Sequence, residues 1–230
     1  MANASVAVAK SKKNGSNGHA VELKNVSSEK IIQDFGGDKI TLPPLRISRI
    51  KIAVRGISPL ITHAWSEKAK KHIRDKQGMR AKTAKEPKDP VADFEAAKYK
   101  ARVDGKEIDV IPSLAFKNAI VSAARFSDGV KMTVLRGALF IERDVLPLEY
   151  KECVMREDMV RVGMGTADLR YRPEYRDWRV VLPIQFNSDV ISAEQIANLV
   201  TRAGFGVGVF EWRPEKDGQF GRFEVEGTVQ

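Results

Sequence analysis

The chain has 230 residues, with 39 Lys and Arg against 30 Asp and Glu, for a formal net charge of +9. Apolar residues make up 43% and charged residues 30%, the balance of an ordinary globular protein. No run of about 18 apolar residues offers a membrane-spanning helix. The one cysteine, Cys153, excludes a disulfide framework and a multi-cysteine zinc centre, and suits a reducing, cytoplasmic setting. The first residues are expected not to be a secretory signal, because no long apolar core follows a basic end. The surplus of positive charge fits simple solubility, or a partner with regularly spaced negative charge such as nucleic acid.

Residues 1–20 are mostly Ala, Ser, Asn, Gly and Lys, too polar to offset the entropy of ordering. Residues 1–45 are therefore read as a disordered or weakly ordered arm, closed by Pro43-Pro44. A single domain is expected over 46–230. Its first strand, 46–55, alternates: Ile50, Ile52 and Val54 fall on one face, Arg49, Lys51 and Arg55 on the other. Gly56 and Pro59 interrupt it, and Leu60-Ile61 resume it. Residues 66–106 are rich in Lys and Arg and poor in large aliphatics, which reads as a basic insertion with a short helix from Ser66, a loop over 78–90 and a second short helix from Asp93.

Ser113 is placed to cap a mostly buried helix over 114–125, with Asn118, Ser122 and Arg125 on its polar stripe. Residues 131–142 and 145–155 read as strands. Two further strands, 159–162 and 178–186, flank a polar, aromatic tip. Ser192 and Gln195 stand at capping-box spacing and open a helix over 192–202. A glycine-rich stretch leads to a last strand over 221–226. The order strand, helix, paired strands, helix, strand is that of an α+β, ferredoxin-like or RRM-like sheet under two helices, with a basic insertion and a long β-hairpin.

Three groups of residues could carry chemistry. The hairpin holds Arg161, Arg170, Tyr171, Arg172, Tyr175, Arg176 and Trp178. Guanidinium groups neutralise phosphate and rings stack on unpaired bases, so this mixture suits single-strand binding. Internal cation–π pairs or a protein contact would use the same residue types. The glycine stretch holds Gly204, Gly206 and Gly208, with Trp212, Arg213, Lys216 and Arg222 beside them. It follows a helix and opens a strand, so it is neither a dinucleotide fingerprint nor a P-loop. It reads as a helix C-cap at Gly204 with a turn, or as backbone amides that approach phosphate closely. Arg49, Lys51, Arg55, Lys117 and Arg125 are further expected contacts. The enzymatic signal is thinner: His63 past the first strand, and Asp89 and Asp93 in the insertion, where carboxylates could hold Mg²⁺ near a phosphate. Cys153 reads as inert core.

Taken together, Gly56-Ile-Ser-Pro-Leu-Ile61, the segment Val110–Arg125 and the stretch Gly204–Gly221 resemble the RAMP superfamily, the RNA-binding proteins of CRISPR effector complexes. The likeness spans 46–65, 108–126 and 190–228 and is greatest to the backbone subunit that lines up along the guide RNA; a phage-borne relative is the equal alternative. The helix-opening segment lacks the family's glycines, with Ala115 and Asn118 nearby, and the glycine loop carries a Trp-Arg-Pro-Glu-Lys insert. The resemblance implies a protein that coats single-stranded RNA as a head-to-tail multimer, with other effector subunits as partners, no membrane and no cofactor. Some backbone subunits cleave RNA with an Asp in the insertion, for which Asp89 is the nearest counterpart. Two alternatives stand beside this: a phage protein that binds or anneals single-stranded DNA or serves assembly, and a metal-dependent ribonuclease using Mg²⁺ with Asp89, Asp93 or His63.

Overall fold

The computed structural model describes residues 31–35, 38–78, 87–127, 129–162 and 165–229. The chain divides into two units, residues 1–44 and 45–230. In the first, β1 (Ile31–Phe35) pairs antiparallel with β2 (Asp38–Leu42). Part of the arm read as disordered or weakly ordered is thus a paired hairpin, in register from Ile31↔Leu42 to Phe35↔Asp38. Residues 1–30 lie outside the described part.

The second unit is built on β3 (Ile47–Gly56), whose Ile52 and Val54 are fully buried while Arg49, Lys51 and Arg55 are exposed. After it come β4 (Leu60–Ile61), then α1 (Glu67–Gln77), α2 (Pro90–Ala96) and β5 (Lys100–Val103) within the insertion read over 66–106, and β6 (Lys106–Pro112). Then come α3 (Ser113–Ala123), α4 (Met132–Ala138), β7 (Leu139–Ile141), β8 (Val145–Pro147), β9 (Glu152–Val162), β10 (Thr166–Arg176), β11 (Arg179–Asn187), α5 (Ala193–Arg202) and β12 (Phe223–Val229). The main sheet has the order β12-β3-β11-β7, and every pairing in it is antiparallel. With α3 between β3 and β7, and α5 between β11 and β12, this is the split βαβ arrangement. The helices cover one face: Phe116, Ala119, Ile120 and Ala123 of α3, and Ile196, Leu199 and Val200 of α5, join Ile52, Val54, Leu182 and Ile184 in one core. In β11, Val180, Leu182, Ile184 and Phe186 are buried and their neighbours are not, the two-residue period of a one-sided strand. The capping box of Ser192 and Gln195 is formed at the start of α5.

Three local readings are corrected. Residues 132–138 are helical rather than extended; Leu135 and Ala138, three apart, are its buried residues, a helical period hidden in a short apolar run. Ser113 does not cap α3. It is the first helical residue, and its own N–H donates to the Asp144 carbonyl at 2.9 Å, while Pro112 holds the cap position. The polar tip is itself a strand: β10 pairs residue for residue with β9 from Thr166↔Val162 to Arg176↔Glu152. The far end of β10 joins β4, and a third sheet has the order β5-β6-β8.

Trp178 sits where the hairpin returns to the main sheet. Its side chain is fully buried, its Nε1–H donates to the Ser58 carbonyl at 2.8 Å, and its ring meets Phe223 edge-on at 6.2 Å. A Cβ at Gly56 would lie 2.1 Å from the indole, so only glycine leaves room for the ring there. Truncation of a buried Trp leaves a large cavity and a carbonyl without its donor. Trp178→Ala is expected to lower unfolding free energy by about 3–5 kcal/mol, read from urea denaturation; a change within about 0.5 kcal/mol would reject this account of the junction.

Candidate nucleic-acid interface

The hairpin's charges are turned inward. Arg156 and Asp158 of β9 share a face with Asp168, Arg170, Arg172 and Glu174 of β10. Arg156 reaches Asp158 at 2.7 Å and Glu174 at 3.0 Å, Arg172 reaches Asp158 at 3.5 Å, and Arg170 reaches Asp168 at 2.8 Å. Asp158, Arg172 and Glu174 are buried. Burial opposes the charge of Glu174, but hydrogen bonds from Arg156 and Arg176 outweigh it and hold its carboxyl below the ordinary range. Tyr175 is also buried: its hydroxyl donates to Asp109 at 3.2 Å, its ring meets Tyr150 at 4.8 Å, and burial pushes the phenol far up. The expectation that Arg172, Tyr175 and Trp178 form an open stacking tip is therefore corrected. Their side chains serve the packing of the hairpin base, where an unpaired arginine would be costly. Arg161 is exposed, Tyr171 is half-buried, and Arg176 is held by Glu152 and Glu174.

The basic face of the sheet is likewise balanced. Arg49 pairs with Glu142, Arg55 with Glu224, and Arg179 with Glu149 and Glu226; Lys51 is exposed. Lys117 lies 3.9 Å over the Phe140 ring. These exposed pairs add little stability, but they reduce the field that the sheet face presents.

A different surface emerges where the three sequence segments converge. The backbone of Ile57 donates to the Arg222 carbonyl at 3.0 Å, Arg222 donates to Ser58 Oγ at 2.9 Å, and Gly221 donates to the Pro59 carbonyl at 2.8 Å. After α5 the chain makes one wide helical turn over Ala203–Val207, closed by Gly208 at φ +68° with its N–H on the Ala203 carbonyl at 2.8 Å. Gly208, rather than Gly204, ends the helix. Gly204 is needed for another reason: a Cβ there would stand 1.9 Å from the Phe223 carbonyl oxygen. A groove of about 220 Å³ lies between this loop and α3, lined by Ala115, Asn118, Gly208, Phe210, Arg213 and Glu215 among others. Arg213 is tied to Glu215 at 3.0 Å and to the Phe210 carbonyl at 3.1 Å; Trp212 is part-exposed at φ +53°, and Lys216 is exposed.

Beside the groove stand two rings that sequence reading passed over. Phe126 is 52% exposed and Phe205 is 72% exposed. Arg125 lies 5.9 Å from the Phe126 ring and pairs with Glu215 at 2.8 Å; Arg222 lies 5.3 Å from the Phe205 ring; Arg202 donates to the Phe126 carbonyl at 3.0 Å. Among the described residues, neither Arg202 nor Arg222 reaches a carboxylate. Gly206, next to Phe205 in the chain, packs beside Phe126: a Cβ there would be 3.6 Å from the Phe126 ring. The signal in the sequence was an aromatic residue beside an arginine or glycine at two separate helix ends, and nothing local joined them.

The residues of the enzymatic reading separate. Asp89 is the N-cap of α2, where its Oδ1 accepts from the N–H groups of Val91 and Ala92 at 3.0 Å. His63 and Asp93 do meet, in a cleft shared with Trp65, Lys88, Asp168, Arg170 and Tyr171. Burial, then Arg172 and Arg170, keep His63 below its ordinary value of 6.5. No group of three or more potential metal ligands occurs among the described residues. Cys153 is half-buried, and burial pushes its thiol up to about 11.

No family model matches the chain, and no curated protein matches it in sequence. Solved structures do. A chain of the Type III-B Cmr-β structure bound to cognate target RNA superposes with a TM-score of 0.51 at 9% identity, over 80% of this chain and 60% of that one. Cmr6 from Pyrococcus furiosus matches with a TM-score of 0.42 at 10% identity, over 79% of this chain and 99% of that one. This chain spans 60% of the length of the Cmr-β chain. What is shared is the fold. The α+β architecture read from the sequence is the architecture present. No helix among the described residues is long and apolar enough to cross a membrane.

The depressed His63 pKa sets a pH dependence. The unfolded chain takes up a proton near 6.5 that folded His63 resists, so stability falls as pH drops below about 6.5 and is unaffected above it. Glu174 and Glu215 are depressed from 4.5 and contribute only in a more acidic window. His63→Gln is expected to flatten the denaturation midpoint between pH 7 and 5.5; an unchanged slope would contradict the assignment.

Proposed function

We propose that this chain is a single-stranded RNA-binding subunit of a CRISPR-type effector complex, and that several copies line one strand. The observation that carries the reading is the Phe126–Phe205 surface with Arg125, Arg202 and Arg222 beside the glycine loop. Exposed rings offer stacking area for unpaired bases, and the guanidinium groups of Arg202 and Arg222, without carboxylate partners among the described residues, offer phosphate contacts. The groove along α3 and the loop over 207–210 gives a strand backbone a track beside the rings. The fold likeness to a chain from a structure bound to target RNA supports RNA over DNA. Head-to-tail copies would give each chain a short stretch of strand. Coating of this kind is commonly cooperative.

Stacking contributes about 1–3 kcal/mol per base. Phe126→Ala with Phe205→Ala is expected to weaken binding of a labelled single-stranded RNA by about 30-fold or more at unchanged melting temperature, because both rings are solvent-exposed. Affinity that is unchanged in the double variant would reject this surface. Binding is also expected to fall steeply with salt, since each neutralised phosphate releases counterions. Arg202→Ala with Arg222→Ala should flatten the plot of log affinity against log salt by about 1.4 for two contacts on a single strand; a parallel plot would show that these arginines do not touch phosphate.

A further inference from the structure

We propose that the cleft between the segment His63–Ser66, α2 and the outer edge of β10 is a second binding site, separate from the Phe126–Phe205 surface, and that it takes a single nucleotide. Its walls are fixed. Ala64 N–H and Thr62 Oγ1–H both donate to the Ala97 carbonyl, at 2.9 and 3.2 Å, and tie the segment to the end of α2. Among the described residues, β10 pairs between Asp168 and Tyr171 with β9 on one side only, since β4 meets it at Glu174 and Tyr175. The opposite edge lines the cleft. The space is about 200 Å³, below the roughly 300–1,000 Å³ of sites for drug-sized ligands. A space of this size holds part of one nucleotide, with the remainder at its open mouth, and excludes a folded polymer.

The lining contains what a nucleotide needs and more than a simpler ligand would. Lys88 and Arg170 both pair with the one carboxylate of Asp168, so two cationic groups are at hand for a phosphate, while Asp93 makes the lining as a whole neutral. Trp65, 64% exposed, and Tyr171 both line the cleft and offer flat surfaces for a base. Asp93 lines the same cleft and, among the described residues, meets no cation. Its carboxylate can only accept, which suits an exocyclic amine such as that of adenine or cytosine. His63 Nδ1 is buried without a hydrogen-bond partner, a polar atom whose desolvation is uncompensated until something donates to it or accepts from it. The charged groups around His63 are Arg172, Arg170, Glu211 and Asp93. An anion alone would leave Trp65 and Asp93 without a role; a base alone would leave two cations on one carboxylate.

The site stands apart from the RNA-coating reading, and one experiment separates the two. The His63 ring resonance of the full chain, assigned with His63→Gln, is followed by NMR during titration with AMP, CMP, UMP, inorganic phosphate and a short single-stranded RNA. Saturable shifts with AMP and CMP are expected, at least tenfold weaker in Lys88→Ala. Asp93→Asn should weaken AMP and CMP at least tenfold and leave UMP unchanged. If mononucleotides saturate the site, its ligand is a free nucleotide. If only the RNA does, and its effect persists in Phe126→Ala with Phe205→Ala, the ligand is a nucleotide unit of the strand. The proposal is overturned if inorganic phosphate reproduces the whole effect, if nothing shifts His63 saturably, or if the RNA effect vanishes in the double phenylalanine variant. RNA that binds nowhere would remove the coating function while leaving the mononucleotide result to stand or fall separately.

Discussion

The indole of Trp178 holds three parts of the fold at one point. It lies over Gly56 at the end of β3, donates to Ser58 in the segment that leaves the sheet, and meets Phe223 at the start of β12. The backbone reinforces it, with Gly56 N–H on the Trp178 carbonyl at 2.8 Å. The segment from Ile57 to Pro59 is thereby pinned, and it carries hydrogen bonds to Gly221 and Arg222. Those bonds set the return of the glycine loop, and the loop sets Phe205. A buried aromatic far from any ligand thus fixes the position of the exposed ones.

Charge follows a similar logic. A surplus of basic residues suggests a positive surface, yet most of the named arginines are engaged by carboxylates of neighbouring strands. Arg49, Arg55 and Arg179 are balanced on the sheet, and Arg156, Arg172 and Arg176 on the hairpin. What decides an arginine's availability is its partner, not its abundance. Arg202 and Arg222 stand out because one bonds a carbonyl and the other lies on a ring. Burying the hairpin's ion pairs costs desolvation that only close geometry offsets. This explains why Arg156, Asp158, Arg172 and Glu174 form a linked set rather than scattered pairs.

Much of the fold was legible from periodicity. The two-residue alternation around Ile52 and Val54, the capping box at Ser192 and Gln195, and the order of strands and helices follow from short-range sterics and one-sided burial. Fold class therefore came from the sequence. The same rules misread residues 132–138, because a seven-residue apolar run suits helix and strand alike. They also misread the hairpin, because Arg, Tyr and Trp in alternation look the same whether the residues face solvent or one another.

The candidate sites lay beyond sequence for a physical reason. Sequence by itself determined which residues could stack, carry charge or bend the chain, and it located α3 after Pro112 and the glycine loop between α5 and the last strand. Tertiary structure alone decided which of these are spent inside the molecule and which remain available. Tyr175 and Trp178 became core because Asp109 and Ser58 meet their polar atoms. Phe126 and Phe205, far apart in the chain, became neighbours because the turn after α5 lies against the end of α3. Asp89 became a cap while Asp93, one helical turn on, came to line a cleft with His63. Burial and partnership are properties of pairs brought together across the fold, and no local pattern encodes them.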